Sequence, residues 1–186
     1  MEAFLTALGV VAVSEIGDRT QLLAFVLATR FRRPVPILFG IFLATLANHT
    51  LAGLAGYWVR GFLTPEIFRW VLGTSFIVMA AWSLVPDKID EEAPERASGG
   101  QDAFITTLVA FFLAEMGDKT QIATVALAAR FSFLPAVIAG TTLGMMVANI
   151  PAVFGGHAAG SRINLRYVRI AATVIFLVQG IMVLAG

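Results

Sequence analysis

The sequence predicts an all-α membrane protein with six transmembrane helices, arranged as two inverted three-helix repeats. Of its 186 residues, 58% are hydrophobic and only 13% are charged. A soluble domain has roughly 45–50% apolar and about 25% charged residues. The apolar residues fall into separate runs of the length that membrane-spanning helices need. In addition, a short acidic motif occurs twice, 100 positions apart, and each copy interrupts one of these runs.

Six apolar segments are long enough to cross a bilayer, which requires about 20 mainly apolar residues. The first should stay in the membrane as a helix, because Glu15 interrupts its apolar run and no basic segment precedes it, unlike in a cleaved signal peptide. The predicted segments are 3–29, 36–59, 67–85, 103–129, 134–158 and 167–185.

An acidic linker, residues 87–102, separates the first three segments from the last three. It holds six acidic and two basic residues, a composition typical of a solvated loop. The chain therefore divides into a first three-helix repeat, residues 1–86, this linker, and a second three-helix repeat, residues 103–186.

The two halves are copies of one unit. Residues 15–31 and 115–131 share nine identities in 17 positions, which indicates an internal repeat. Two further matches lie in the next segment of each half: Gly40 with Gly140 and, after one inserted residue, Asn48 with Asn149. Because each half crosses the membrane an odd number of times, the second half must enter from the opposite side, an arrangement typical of secondary transporters.

The orientation follows from the positive charges in the loops, because cytoplasmic loops are enriched in Lys and Arg. With the N-terminus outside, the inner loops hold eight of these residues and the outer loops hold three. We therefore expect a multi-pass membrane protein with both termini outside and the acidic linker in the cytoplasm.

Each motif copy brings two carboxylates together. Glu15 and Asp18 are three residues apart, as are Glu115 and Asp118, and this spacing places them on one helical face. Carboxylates at bilayer depth are expensive and usually functional, so we expect both pairs to bind one cation at the midplane. Gln21, Gln121, Asn48 and Asn149 are further candidate metal ligands.

Other motif residues have supporting or gating roles in this prediction. Gly17 and Gly117 permit close helix approach and local unwinding that exposes carbonyls. Thr20 and Thr120 can satisfy backbone groups freed in this way or offer an oxygen to an ion. The remaining supporting residues are Arg19 and Lys119.

Charge and ligand chemistry predict the class of substrate. Four carboxylates with Arg19 and Lys119 leave a formal charge of −2, which one divalent cation would neutralise in low-dielectric surroundings. Carboxylate, amide and hydroxyl oxygens suit Ca²⁺, Mn²⁺ or Mg²⁺. The chain has no cysteine, and neither motif contains histidine, so Zn²⁺ and Cu⁺ are poor candidates. No cofactor is implied, because the ion is the transported substrate.

The same carboxylates would hold protons when no metal is bound, and metal binding would displace them. Such competition is sufficient for metal/proton antiport. The sequence contains no ATP-binding Gly-x-x-x-x-Gly-Lys-Ser/Thr motif, so a gradient should supply the energy. The net charge of +1 gives no support for nucleic-acid binding.

Several alternatives stay open at this point. The i,i+4 pairs Glu15–Arg19 and Glu115–Lys119 are compatible with structural salt bridges, and the two asparagines with interhelical hydrogen bonds. A small amino-acid exporter would use Arg19 or Lys119 for the substrate carboxylate and a motif glutamate for its amine. A membrane-embedded metal-dependent enzyme is a further alternative, but the sequence has no histidine or serine constellation to support it.

At its two motifs the chain resembles a known family. Glu15-Ile-Gly-Asp-Arg-Thr20 and Glu115-Met-Gly-Asp-Lys-Thr120 are similar to the doubled motif of the cation/proton antiporters that include Golgi manganese and calcium transporters and bacterial manganese exporters. The resemblance implies that the motif carboxylates coordinate the ion. It also implies export of Mn²⁺, Ca²⁺ or both in exchange for protons. Within this resemblance, the compact chain suggests a bacterial member in the plasma (inner) membrane that exports manganese.

Overall fold

The computed structural model describes residues 1–62, 64–83, 99–155 and 165–185, and this part of the chain forms eight helices and no strand. The first half contains α1 (Glu2–Glu15), α2 (Arg19–Phe31), α3 (Pro34–Phe62) and α4 (Pro65–Ser83). The second half contains α5 (Gly100–Glu115), α6 (Lys119–Arg130), α7 (Leu134–Gly155) and α8 (Leu165–Ala185). The all-helical prediction is thus confirmed for the described residues.

Two of the predicted segments are not continuous helices. The segments expected at 3–29 and 103–129 are each broken at the motif, where α1 ends at Glu15 and α5 ends at Glu115. The break occurs because Gly17 and Gly117 have φ values of +82° and +74°, a conformation open to glycine but not to a residue within a right-handed helix.

The start of the second half also differs slightly from the prediction. Gly100, Gln101 and Asp102, which the sequence analysis assigned to the linker, form the first turn of α5. A carboxylate oxygen of Asp102 accepts a hydrogen bond from the Gly99 amide at 3.1 Å, so the acidic end of the linker caps this helix. Residues 87–98, the rest of the linker, lie outside the described residues.

The two halves interlock through their helices rather than lying side by side. Helix α1 packs against α7 of the other half, and α5 packs against α3. In both contacts a glycine of the longer helix lies against the backbone of the shorter helix. A Cβ atom added at Gly40 would lie 2.9 Å from the Phe104 carbonyl oxygen, and one at Gly140 would lie 2.5 Å from the Phe4 carbonyl oxygen. Residues 100 positions apart therefore make equivalent contacts.

The same offset of 100 relates most buried positions of α3 to those of α7, so the insertion expected between Gly40 and Asn48 is absent. Ile37 and Ile41 are buried in α3, as Val137 and Thr141 are in α7. In this register Asn149 corresponds to His49, and Asn48 corresponds to Ala148. The sequence match between the two asparagines is therefore offset by one position from the structural correspondence.

The exterior of the bundle is apolar, as lipid contact requires. Large hydrophobic side chains are exposed along α3 and α7, including Phe39, Leu51 and Trp58 in the first half and Val147 and Phe154 in the second. Within the described residues, α3 and α7 are apolar and long enough to cross a membrane. The other helices before α3 and α7 are shorter, because the motif interrupts each pair. Helices α1 and α2 have 14 and 13 residues, and α5 and α6 have 16 and 12 residues.

Candidate metal site

Both motif copies fold into the same local structure. At each break a turn is closed by a backbone hydrogen bond, from the Asp18 amide to the Glu15 carbonyl at 3.0 Å and from the Asp118 amide to the Glu115 carbonyl at 3.2 Å. Asp18 and Asp118 are the N-caps of α2 and α6. The carboxylates thus come together across a helix break and not, as the i,i+3 spacing suggested, along one helical face.

The motif glutamines stabilise these breaks. The side-chain oxygen of Gln21 accepts a hydrogen bond from the Gly17 amide at 2.8 Å, and that of Gln121 accepts one from the Gly117 amide at 2.7 Å. The Gln21 amide nitrogen also donates to the Ala148 carbonyl of α7 at 2.8 Å. Gln21 therefore satisfies backbone groups that the break exposes and joins the first break to the other half.

The motif threonines hold the glutamates. The Thr20 hydroxyl donates to a carboxylate oxygen of Glu15, and the Thr120 hydroxyl donates to Glu115 Oε2 at 3.0 Å. Each threonine lies in the first turn after the break and each glutamate is the last residue before it. This hydrogen bond fixes one carboxylate oxygen of each glutamate and thereby sets the direction of the second oxygen of the same carboxylate.

Three carboxylates converge at the meeting point of the two breaks. Oxygens of Glu15, Glu115 and Asp118 all lie within 4.8 Å of one another, and the three residues are 0%, 1% and 3% exposed. Glu15 Oε2 and Glu115 Oε1 are buried without a hydrogen-bond partner among the described residues. Buried carboxylates need a cation, a proton or a hydrogen bond, so the arrangement can bind a hard cation such as a divalent metal ion or take up protons in its place.

Asp18, the fourth predicted carboxylate, makes a different contact. Its Oδ1 atom forms an ion pair with Lys119 Nζ from the second half. The sequence analysis expected Lys119 to balance the charge of the site but gave it no partner in the other repeat. The distance of 101 positions between the two residues explains why local spacing did not reveal this contact. The side chain of Arg19 lies outside the described residues.

The two predicted asparagines are fully buried, and in each only the side-chain nitrogen has a hydrogen-bond partner. Asn48 Nδ2 donates to the Phe112 carbonyl of α5 at 3.0 Å, and Asn149 Nδ2 donates to the Met145 carbonyl one turn earlier at 3.1 Å. Their Oδ1 atoms are buried without a hydrogen-bond partner in the described part of the chain. Both oxygens therefore remain available as ligands. His49 is also buried, and neither ring nitrogen has a hydrogen-bond partner among the described residues.

Comparison with known proteins shows to which family the sequence is similar. A profile of the family described as "Divalent cation/proton antiporter GDT1" matches residues 3–91 and 103–186. A Vibrio cholerae protein named "Putative manganese exporter" is 46% identical over 182 residues, covering 97% of this chain and 90% of its own. The Saccharomyces cerevisiae "Divalent cation/proton antiporter GDT1" is 26% identical, covering 98% of this chain and 83% of its own.

A cyanobacterial relative is similar over most of the length of both chains. The GDT1-like protein sll0615 of Synechocystis is 30% identical over 195 residues, covering 95% of this chain and 93% of its own. No solved structure matches the chain.

Proposed function

Because the chain belongs to the GDT1 family of divalent cation/proton antiporters, we propose that it exports Mn²⁺ in exchange for protons, with Ca²⁺ as the second candidate substrate. Family membership makes the protein a transporter of divalent cations and not an enzyme, and it removes the amino-acid exporter and the hydrolase from consideration. The observation on which the proposal depends is the convergence of Glu15, Glu115 and Asp118 between the two helix breaks. The preference for Mn²⁺ rests on the named Vibrio relative.

In this proposal the three converging carboxylates are the primary ligands of the ion. Their oxygens are hard donors of the kind that Mn²⁺ and Ca²⁺ prefer. The unpaired Oδ1 atoms of Asn48 and Asn149 are candidate additional ligands. Asp18 stays a candidate ligand only in states where its contact with Lys119 is broken. The supporting roles go to Thr20, Thr120, Gln21, Gln121, Gly17 and Gly117, which shape the breaks and hold the glutamates.

Exchange for protons follows from the chemistry of the ligands. Three carboxylates in a buried space repel one another when all are ionised, which favours protonation of some of them in the absence of metal. A metal ion and these protons compete for the same oxygens. A carrier that must be loaded with one or the other before it changes conformation would couple metal export to proton entry by alternating access.

The contacts between helices support an inverted repeat. Helices α3 and α5 run parallel, because Gly40 lies beside Phe104 and Asn48 reaches Phe112. Helix α3 follows α2 after a tight turn, so α5 runs against the direction of α1–α2. Gly100 lies beside Arg33, which places the end of the linker and the turn before α3 at the same end of the bundle, where the charge count predicts cytoplasm.

Flux in proteoliposomes tests the proposed substrate and coupling. With the purified protein in vesicles, an imposed proton gradient should drive Mn²⁺ uptake, and Mn²⁺ movement should carry protons in the opposite direction. A panel of Mn²⁺, Ca²⁺, Mg²⁺ and Zn²⁺ on the same vesicles would rank the substrates, with a metal-sensitive dye and a pH-sensitive dye as readouts. A metal flux that is independent of the proton gradient and is not accompanied by proton movement would refute antiport.

The proposed topology predicts opposite labelling of two equivalent turns. The sequence has no cysteine, so single cysteines can be introduced without background. Arg33 and Phe133 are exposed at corresponding positions before α3 and α7. In intact cells, a membrane-impermeant maleimide should label Phe133→Cys, whereas Arg33→Cys should react only after permeabilisation. Equal labelling of both cysteines in intact cells would exclude the inverted arrangement.

A further inference from the structure

Helix α3 carries a buried polar patch, here called the α3 patch, that consists of Thr45, Asn48 and His49. Residues at the spacings i, i+3 and i+4 lie together on one face of a helix, and all three are fully buried. Thr45 Oγ1, Asn48 Oδ1 and both ring nitrogens of His49 have no hydrogen-bond partner among the described residues. Because buried polar groups are normally hydrogen-bonded, this cluster of unpaired atoms indicates that the α3 patch receives a ligand.

The described residues of α7 do not form a corresponding patch. With the offset of 100, the counterparts of the α3 patch are Met145, Ala148 and Asn149. Two of them are apolar, and the Asn149 side-chain nitrogen contacts Met145 itself, at 3.1 Å from the carbonyl oxygen and 3.2 Å from the sulfur. The repeat therefore packs without a histidine or a threonine at these positions, so the polar atoms of the α3 patch are not a requirement of the fold.

The α3 patch lies beside the second helix break. Asn48 Nδ2 donates to the Phe112 carbonyl, one turn before α5 ends at Glu115. Two turns further along α3, Gly56 lies against the Val125 carbonyl of α6. Helix α3 therefore runs past the end of α5 and the start of α6. At this end of α5, Glu115 Oε1 is also buried and has no hydrogen-bond partner in the described part of the chain.

We propose that His49 is a nitrogen ligand of the transported ion, which it binds together with Glu115, and that it selects divalent transition-metal ions such as Mn²⁺ over Ca²⁺. This inference rests on the proposed function and concerns the specificity of the same site. His49 and Gly56 are seven residues apart and share a face of α3, so the imidazole is on the side that packs against the second repeat. In this conformation His49 is not among the ligand groups within 4.8 Å of one another, so binding includes a movement of its side chain toward Glu115.

A nitrogen ligand distinguishes the two candidate substrates. Ca²⁺ is bound by oxygen ligands, whereas a neutral imidazole is a common ligand of transition-metal ions. The two motifs contain no histidine, and their carboxylates suit Mn²⁺ and Ca²⁺ alike. Asn149, the counterpart of His49, offers an oxygen that both ions accept. The discrimination between the two ions therefore depends on the imidazole of the first repeat.

Electron spin echo spectroscopy of bound Mn²⁺ tests this ligation directly on the full-length protein in detergent, because a coordinated imidazole nitrogen modulates the echo of this paramagnetic ion. The sequence contains two histidines, His49 and His157, so the source of the signal can be assigned. We expect the nitrogen modulation in the wild-type protein and in His157→Asn, and its loss in His49→Asn. Bound Mn²⁺ without nitrogen modulation in the wild-type protein would overturn the proposal, and that measurement does not depend on the folding of any variant.

Calorimetry with Mn²⁺ and with Ca²⁺ on the same proteins measures the selectivity. Altering a group that only supports a metal ligand typically costs 10–100-fold in affinity, so His49→Asn should lower the Mn²⁺ affinity by at least about tenfold. Its Ca²⁺ affinity should stay within about threefold of the wild-type value, because asparagine offers the oxygen that Ca²⁺ prefers. His157→Asn exchanges the same residue types outside both motifs and the α3 patch, and it should leave both affinities unchanged. An unchanged ratio of the two affinities in folded His49→Asn would contradict the proposal.

Failure of this inference and failure of the proposed function give different results. If His49 is not a ligand, the wild-type protein still binds Mn²⁺ and exchanges it for protons, but the bound ion shows no nitrogen modulation. If the proposed function is wrong, vesicles with the wild-type protein show no proton-coupled Mn²⁺ flux.

Discussion

Replacing either motif glutamate by glutamine is expected to abolish Mn²⁺ transport, with at least an about 100-fold loss in Mn²⁺ affinity. Altering a group that only supports a metal ligand typically costs 10–100-fold in affinity, and Glu15 and Glu115 are proposed here as ligands themselves. Glutamine has the same shape and can still accept the hydrogen bond from Thr20 or Thr120. The substitution therefore removes a charge and leaves the local packing intact.

Proton-driven Mn²⁺ uptake in proteoliposomes measures this effect, together with calorimetry to separate binding from turnover. Glu2→Gln is a matched control, because Glu2 belongs to the same helix as Glu15 but is exposed in its first turn. This control should transport at the wild-type rate. If Glu15→Gln and Glu115→Gln both transport as well as Glu2→Gln, the carboxylate cluster is not the ion site.

The sequence was sufficient to predict that the described residues are helical and that the two motif copies meet, because apolar runs and a repeated motif are both visible in the sequence. Apolar runs of about 20 residues indicate membrane helices whatever their neighbours are. The two motif copies predicted that Glu15, Asp18, Glu115 and Asp118 would meet, since a repeat that enters the membrane twice from opposite sides brings equivalent positions together. The structure places three of the four, Glu15, Glu115 and Asp118, in one buried cluster.

Contacts between distant parts of the chain were not predictable in the same way. The helix was expected to continue through the motif, although Gly17 and Gly117 suggested local unwinding, and only the backbone shows that Asp18 and Asp118 are N-caps. The partner of Lys119 lies 101 positions away, beyond any local spacing rule. Likewise, the sequence match between Asn48 and Asn149 suggested an offset of 101 positions, whereas the packing of α3 and α7 follows an offset of 100.

That constant offset depends on close helix packing, in which α7 lies against α1 through two glycines one turn apart. An added Cβ atom would lie 2.5 Å from the Phe4 carbonyl oxygen at Gly140 and 2.6 Å from the Leu8 carbonyl oxygen at Gly144. Both contacts are with backbone, which cannot move aside as a flexible side chain can. Small residues at this spacing are typical of helix pairs that approach closely in membranes.

We therefore expect Gly140→Ala and Gly144→Ala each to destabilise the protein by about 1–3 kcal/mol, the usual cost of overpacking. In thermal unfolding in detergent this corresponds to a decrease in Tm of roughly 2–12 °C for a chain of this length. Gly9→Ala is a control of the same chemistry in α1, where an added Cβ meets nothing within 4 Å. There the better helix propensity of alanine should leave stability unchanged or raise it by up to about 1 kcal/mol.

The opposite signs of these changes are the critical result, because all three variants exchange the same residue types within a helix. A destabilised Gly144→Ala should also transport Mn²⁺ more slowly, since a shift of α7 relative to α1 moves the Ala148 carbonyl to which Gln21 donates and so disturbs the first helix break. If Gly140→Ala and Gly144→Ala are as stable as Gly9→Ala, the two halves do not interlock through α1 and α7. The convergence of carboxylates from both motifs would then lose its structural basis.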